Sequence, residues 1–139
     1  MPFVVPTFVT STALGARCFV DFALAQAVRY WTQVRGKLEP IDLPIGMTSD
    51  LASIPEVCWS IPGFQPNGPI APGAWVHDGL YRGTAITTGE PWTRADADLV
   101  LLEWMQNAGM PLVVQEAIYR AVRDFGQPAW DAGHAGGAA

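Results

Sequence analysis

The sequence predicts an α+β fold with short strands first, a long loop in the middle and three helices last. Three observations lead there. The first fifty residues are rich in Val, Phe, Thr and Tyr and are broken by Gly and Pro, as short strands are. Between Ser49 and Ile70 the chain carries Pro55, Pro62, Gly63, Pro66, Gly68 and Pro69, which exclude any long regular element. From Pro72 onward, apolar residues recur at helical spacing between recognisable start and stop residues.

Each element can be justified in turn. Phe3 to Thr10 is apolar enough for a strand, and Pro6 makes it an edge strand or an extended arm. Arg17 to Leu24 alternates imperfectly, and the overlapping stretch Ala23 to Trp31 fits a short helix equally well. Val28 to Val34 reads as a strand, followed by a turn at Gly36-Lys37 and a strand from Ile41 into Met47, which together make a hairpin. The Pro/Gly loop that follows is long for a compact domain, and such loops are often functional. A surface excursion with a helical turn at Pro55 to Ser60, packed down by Trp59 and Phe64, is the alternative.

The first helix runs from Pro72, well suited to an initial turn, to Tyr81 or Arg82, and stops before Gly83. The second takes Thr93 as N-cap and continues to Ala108, with Gly109 as its stop. The third extends from Pro111 to Gly126 and places Val114, Ala117, Ile118, Ala121, Val122 and Phe125 on one stripe, which should be core. Residues 1–130 are expected to form a single domain, and residues 131–139 a flexible tail with nothing to bury.

Composition removes several classes of function. Eight Lys+Arg against thirteen Asp+Glu give a net charge of −5, so the electrostatic footprint of a nucleic-acid binder is missing. Half of the residues are hydrophobic and only 15% are charged, against about 25% in ordinary domains. Twelve prolines and fourteen glycines in such an apolar chain mean many fixed turns rather than disorder. The scarcity of charge is consistent with a surface partly covered by another subunit, or with a large neutral loop surface. Met1 to Ala16 has no basic start and no continuous apolar run, and no stretch reaches the roughly 20 apolar residues of a membrane helix. A soluble protein without a transmembrane segment is expected. Cys18 and Cys58 lack the pairing of a zinc knuckle or a disulfide framework and read as buried thiols.

The candidate chemistry lies in Ala74-Trp-Val-His-Asp-Gly-Leu-Tyr81. His77 and Tyr81 are four apart and share a helix face, while Asp78 is turned about 100° away. In the next helix, Asp96 is explained by a capping relation with Thr93, whereas Asp98 shares the inward stripe of Leu101, Leu102 and Met105. A buried carboxylate needs a partner. If the two helices pack antiparallel, His77 and Tyr81 supply it, and Asp98 orients His77 as a general base. Asp78, with Asp50 or loop carbonyls, would then hold a hard cation such as calcium. A purely structural account stands beside this one: the Asp-His-Tyr cluster pins two helices, Asp78 pairs with Arg82 or Arg94, and Asp50 and Ser53 cap a turn. His134 lies in the tail, away from any such site.

Several segments in order resemble a known family: Thr48-Ser-Asp-Leu-Ala-Ser-Ile-Pro55, Ala71 to Arg82, Arg94-Ala-Asp-Ala-Asp-Leu with Leu102-Glu-x-Met105, and Tyr119-Arg-Ala-Val-Arg with Gly126 and Trp130. They are similar to a family of small phage and prophage proteins of unknown function, domain of unknown function 1353, with Asp50, His77, Asp78, Tyr81, Arg94 and Asp98 at the matching positions. The resemblance implies a phage or prophage origin. A place in the virion, such as tail or baseplate, or in the host cytoplasm, with other virion proteins as partners, is the expectation built on that origin. The H-D-x-x-Y helix also resembles that of calcium-dependent secreted phospholipases. That likeness implies His77 as base, Asp78 as calcium ligand, Tyr81 and Asp98 as the orienting pair, and a lipid or cell-envelope ester as substrate. The framework disulfides of those enzymes are absent here.

Overall fold

The structure, a computed structural model, describes residues 8–14, 19–24, 26–49 and 70–135, with side chains described at 24, 26–47 and 70–135. Asp50, Cys18, Cys58, the predicted turn at Pro55 to Ser60 and most of the Pro/Gly loop lie outside the described residues.

The α+β class is as predicted, with strands preceding helices. Strands β1 (Phe8–Leu14) and β2 (Phe19–Leu24) pair antiparallel, with an irregularity between Thr10 and Thr12, and β2 also pairs with β5 (Thr48–Ser49). The first strand extends beyond the predicted end at Thr10 to Leu14, and residues 3–7 of the prediction lie outside the described residues. The helix alternative for Ala23 to Trp31 is not adopted.

Strands β3 (Val28–Thr32) and β4 (Glu39–Leu43) form the predicted hairpin, with Tyr30 opposite Ile41 and Thr32 opposite Glu39. Gly36 turns the chain with φ 86°. The second strand ends earlier than predicted, at Leu43, because Pro44 has no N–H to continue the ladder. The free edge of β4 is taken by Ile86, whose N–H and carbonyl exchange hydrogen bonds of 2.8 and 2.9 Å with Asp42.

Helix α1 (Ala71–Arg82) has Pro72 in its first turn and ends at Gly83, whose φ of 72° suits a residue without a side chain. Thr84 N–H reaches back to the Gly79 carbonyl at 3.0 Å and closes the cap. Helix α2 (Arg94–Asn107) starts at Thr93, whose hydroxyl accepts from the Asp96 N–H at 3.1 Å. It stops at Gly109, with φ 70°. Helix α3 (Leu112–Phe125) buries Val114, Ile118, Ala121 and Val122 as predicted, and also Gln115, whose amide donates to the Met110 carbonyl at 2.7 Å. Two stripe residues are corrected. Ala117 is exposed because the buried face is rotated toward Gln115, and Phe125 is exposed at the last residue of the helix, after which Gly126 fills the interior.

A fourth helix, α4 (Gln127–His134), was not among the three predicted. Pro128 sits in its first turn, where its missing N–H costs nothing. Residues 131–134, expected in the tail, thus complete a helix, and residues 136–139 lie outside the described residues.

Helix α1 is the centre of the packing. Every residue from Ala71 to Tyr81 is buried. One side meets the hairpin in a core that includes Ile41, Leu43, Val76 and Leu80; the other joins Ile70 and Ala74 to Leu101, Met105 and Ile118 of α2 and α3. Each large apolar side chain taken out of water stabilises the fold by about 1.5–3 kcal/mol. Gly73 lies so close to the Trp104 side chain that a Cβ would collide with it, while Tyr81 meets the first turn of α2. Contacts therefore move down one helix as they move up the other, so α1 and α2 are antiparallel, as the site required.

Two polar ties lock the hairpin onto the helices. Glu103 of α2 accepts from Tyr30 Oη at 2.6 Å, Thr32 Oγ1 at 2.7 Å and the Gln33 N–H at 3.0 Å. Burial first, then the bond to Glu103, pushes the Tyr30 hydroxyl far above its ordinary range. Arg35 donates to both carboxylate oxygens of buried Glu39, at 2.7 and 3.0 Å, and its guanidinium lies 4.3 Å from the centre of the Trp92 ring. The bond from Arg35 holds the Glu39 carboxyl below the usual range, against the opposing effect of burial.

Candidate functional site

His77, Tyr81 and Asp98 are brought together between α1 and α2, fully buried. His77 and Tyr81 occupy one face of α1 by their four-residue spacing, with ring centres 4.2 Å apart. Asp98 sits one turn into α2 on the stripe that continues to Leu101 and Met105, so its carboxylate enters the gap between the helices. Asp98 Oδ1 lies 2.7 Å from His77 Nε2 and accepts from Tyr81 Oη at 2.6 Å.

The other oxygen of Asp98 carries a charge pair that the sequence reasoning did not foresee. Arg123 of α3 donates to Oδ2 from Nη1 at 2.7 Å, and Arg94 Nη1 lies 3.5 Å from the same oxygen. Arg94 is itself held by the carbonyls of Val122 and Arg123, at 3.0 and 3.2 Å. Arg94 thus serves Asp98 rather than Asp78. A sequence signal for Arg123 existed: it directly follows Val122 on the buried edge of α3, and a long side chain there can reach inward.

These partners define the protonation pattern. Burial alone would push the Asp98 carboxyl up, but hydrogen bonds from His77, Tyr81 and Arg123 outweigh it and hold the carboxyl below its ordinary range. An ionised carboxylate only accepts, so His77 Nε2 must carry a proton and Tyr81 must donate. Burial and that same bond push the Tyr81 hydroxyl well up, and it stays protonated. His77 Nδ1 is left as the open ring position: it is buried and, among the described residues, has no hydrogen-bond partner.

Asp78 is the second unsatisfied group. Both of its carboxylate oxygens are buried and accept no hydrogen bond among the described residues. Arg82 Nε is 3.1 Å from Oδ2, one turn along α1, in a contact without hydrogen-bond alignment. Nearby charge therefore compensates Asp78 while its lone pairs remain unused. For a calcium ion, which takes roughly six to eight oxygen ligands, Asp78 is a suitable donor but an insufficient one. Among the described residues no three His, Cys, Asp or Glu side chains gather in one place, and Asp50 lies outside them. The described donor set does not by itself fit the ion.

His134, placed in the tail by sequence, stacks on Trp130 with ring centres 3.9 Å apart, and Trp130 meets the Tyr81 ring edge-on at 5.3 Å. Helix α4 therefore touches the cluster through Tyr81. No helix among the described residues is long and apolar enough to cross a membrane.

No curated protein matches the chain, and no solved structure does. A family model does match, over residues 22–122, and that span contains His77, Asp78, Tyr81, Arg94 and Asp98. With most of its length and His77, Asp78, Tyr81, Arg94 and Asp98 inside that match, the chain belongs to the DUF1353 family, described as proteins of unknown function.

Proposed function

We propose that the protein is a small hydrolase in which His77 is the general base and Asp98 with Tyr81 its orienting pair, acting on an ester of lipid or cell envelope. The observation that carries this reading is the asymmetry of His77: Nε2 is held by an ionised carboxylate, while Nδ1 is left without a partner among the described residues. A histidine that only pins helices gains by satisfying both nitrogens, because an unmade buried hydrogen bond costs about 1–3 kcal/mol. In the proposed step, Nδ1 takes a proton from water as the water oxygen bonds to the ester carbonyl carbon. The tetrahedral intermediate then breaks its bond to the alcohol oxygen, which receives the proton held at Nδ1. One ester and one water become one carboxylic acid and one alcohol. The charge on Asp98 stabilises the imidazolium between the two transfers.

The resemblance to phage and prophage proteins supports a phage-encoded protein, carried in the virion or acting in the host cytoplasm. Leu112 and Val113 at the start of α3 are 79% and 76% exposed, which suits a surface covered by another virion protein. A second reading has its own support. His77 and Asp98 are both 0% exposed, and the cluster ties α1, α2 and α3 together. In that reading the protein is a non-catalytic tail or baseplate component.

The test is His77→Ala beside the native chain, with folding followed by circular dichroism and cleavage of phospholipid and short-chain esters measured with calcium and with chelator. A folded variant without cleavage is expected, with a loss of roughly 10²-fold or more. A folded variant that cleaves as the native chain does would refute the hydrolase. Loss in chelator alone would bring Asp78 and a cation into the reaction.

A further inference from the structure

The last described stretch of the chain contacts Tyr81 along its whole length. At the junction of α3 and α4, Gly126 lies between the Val122 carbonyl and the hydroxyl end: a Cβ there would collide with the Val122 carbonyl oxygen and stand 2.6 Å from Tyr81 Oη and 3.2 Å from Arg94 Nη1. Trp130 packs its ring against the middle of the side chain, nearly perpendicular at 88°. Gly133 approaches the main chain so closely that a Cβ would collide with the Tyr81 carbonyl oxygen and stand 2.8 Å from Arg82 Cα. Residues 126, 130 and 133 are spaced four and three apart, so they line one face of α4. None of them lies in the span matched by the family model, which ends at residue 122.

We infer that this Gly126-Trp130-Gly133 face of α4 is a clamp that positions Tyr81, and through it Asp98 and His77. Tyr81 needs such a device. Its hydroxyl must reach Asp98 Oδ1 beside His77 Nε2, and a shift of the ring would remove one of the two donors that hold Oδ1 against the imidazole. The absence of side chains at 126 and 133 permits the close approach, and the perpendicular contact with the indole fixes the ring between the two contacts. Gly126 has φ −81°, ordinary backbone for any residue, so its lack of a side chain serves space rather than conformation. His134, stacked on the outer face of Trp130 and bonded through Nδ1 to the Trp130 carbonyl at 2.9 Å, holds the indole in turn.

Trp130 and Gly126 are positioning residues, and their effect is read at His77 without any substrate. The His77 Nε2 proton, held by Asp98, gives a ring N–H signal in proton NMR whose exchange with water reports the bond. Trp130→Leu keeps bulk but removes the ring, Trp130→Phe keeps an aromatic edge, and Gly126→Ala places a methyl against the hydroxyl. With folding verified by circular dichroism, exchange at least about tenfold faster is expected in Trp130→Leu and Gly126→Ala, and near-native exchange in Trp130→Phe. Native exchange in both Trp130→Leu and Gly126→Ala would overturn the clamp. So would complete unfolding of Trp130→Phe, because a clamp added to a folded core can be loosened without losing that core. The catalytic consequence rests on the hydrolase reading: kcat should fall about tenfold or more with KM unchanged. If exchange accelerates but no variant and no native chain cleaves esters, the clamp stands and the hydrolase fails.

Discussion

Replacing Asp98 by asparagine removes one charge at almost constant volume and sets two demands against each other. On one side, His77 Nε2 and Tyr81 Oη present donors to Oδ1; on the other, Arg123 presents a donor to Oδ2 at 2.7 Å. An amide has one oxygen. If it faces Arg123, the amide N–H₂ faces Tyr81 and His77, and the imidazole must move its proton to Nδ1 and present a lone pair at Nε2. If it faces His77, two donors meet at Arg123 and two guanidiniums lose their counter-charge. Breaking a buried ion pair from one side costs about 3–5 kcal/mol. The side chains of Arg94 and Arg123 are 15% and 32% exposed and can partly recover water, which favours the lower end, about 3 kcal/mol. At about 3–4 °C per kcal/mol for a chain of this size, the melting temperature should fall by roughly 10 °C. Ester cleavage should fall about 10³- to 10⁴-fold, because the proton then occupies the atom that must accept one. Thermal melts, nitrogen NMR of the His77 ring and ester hydrolysis on one preparation measure all three. A folded variant that melts within about 2 °C of the native chain would refute the buried-charge argument, and an unchanged tautomer with unchanged cleavage would refute the role of Asp98 in the dyad.

Further outcomes follow from the same geometry. Because the Asp98 carboxyl is held below its unfolded value, its contribution to stability is present above the ordinary carboxylate range and is lost as pH falls through the depressed folded value. Melting temperature should therefore decline on acidification below about pH 4, and less steeply in Asp98→Asn; equal slopes would assign the acid sensitivity to other groups. Glu103→Ala removes the acceptor of Tyr30, Thr32 and Gln33 at once and should lower stability in a urea titration by about 2–3 kcal/mol. A change under about 0.5 kcal/mol would mean that the hairpin is held without this tie.

The parts of the fold legible in the sequence were those that local chemistry determines. Pro72 and Gly83 bound α1, and Thr93 and Gly109 bound α2, because caps act within one turn of the residue that carries them. The dyad was legible for a related reason: His77 and Tyr81 share a face by spacing alone, and Asp98 interrupts an apolar stripe. Helix α4 was missed because Gly126 reads as a terminus; Pro128 suits a first turn, and the tertiary seat of Trp130 and Gly133 against Tyr81 holds the helix that resumes there. For Arg123 the local pattern gave a place at the buried edge of α3 but not the partner, because its reach to Asp98 depends on how α3 lies across α2. Ala117 and Phe125 failed in the opposite sense, since a stripe gives the phase of a helix but not the extent of what covers it.

Helix α1 has no solvent face from Ala71 to Tyr81. A segment enclosed in this way opens only when its surroundings come apart, so its amide protons belong with the slowest class to exchange. The His77 imidazole and the Asp78 carboxylate, which accepts no hydrogen bond among the described residues, are thus mounted on a helix enclosed on every side. If the hydrolase reading holds, a substrate can reach the fully buried His77 only by movement of the chain around α1, and entry rather than the arrangement of the dyad would limit the rate.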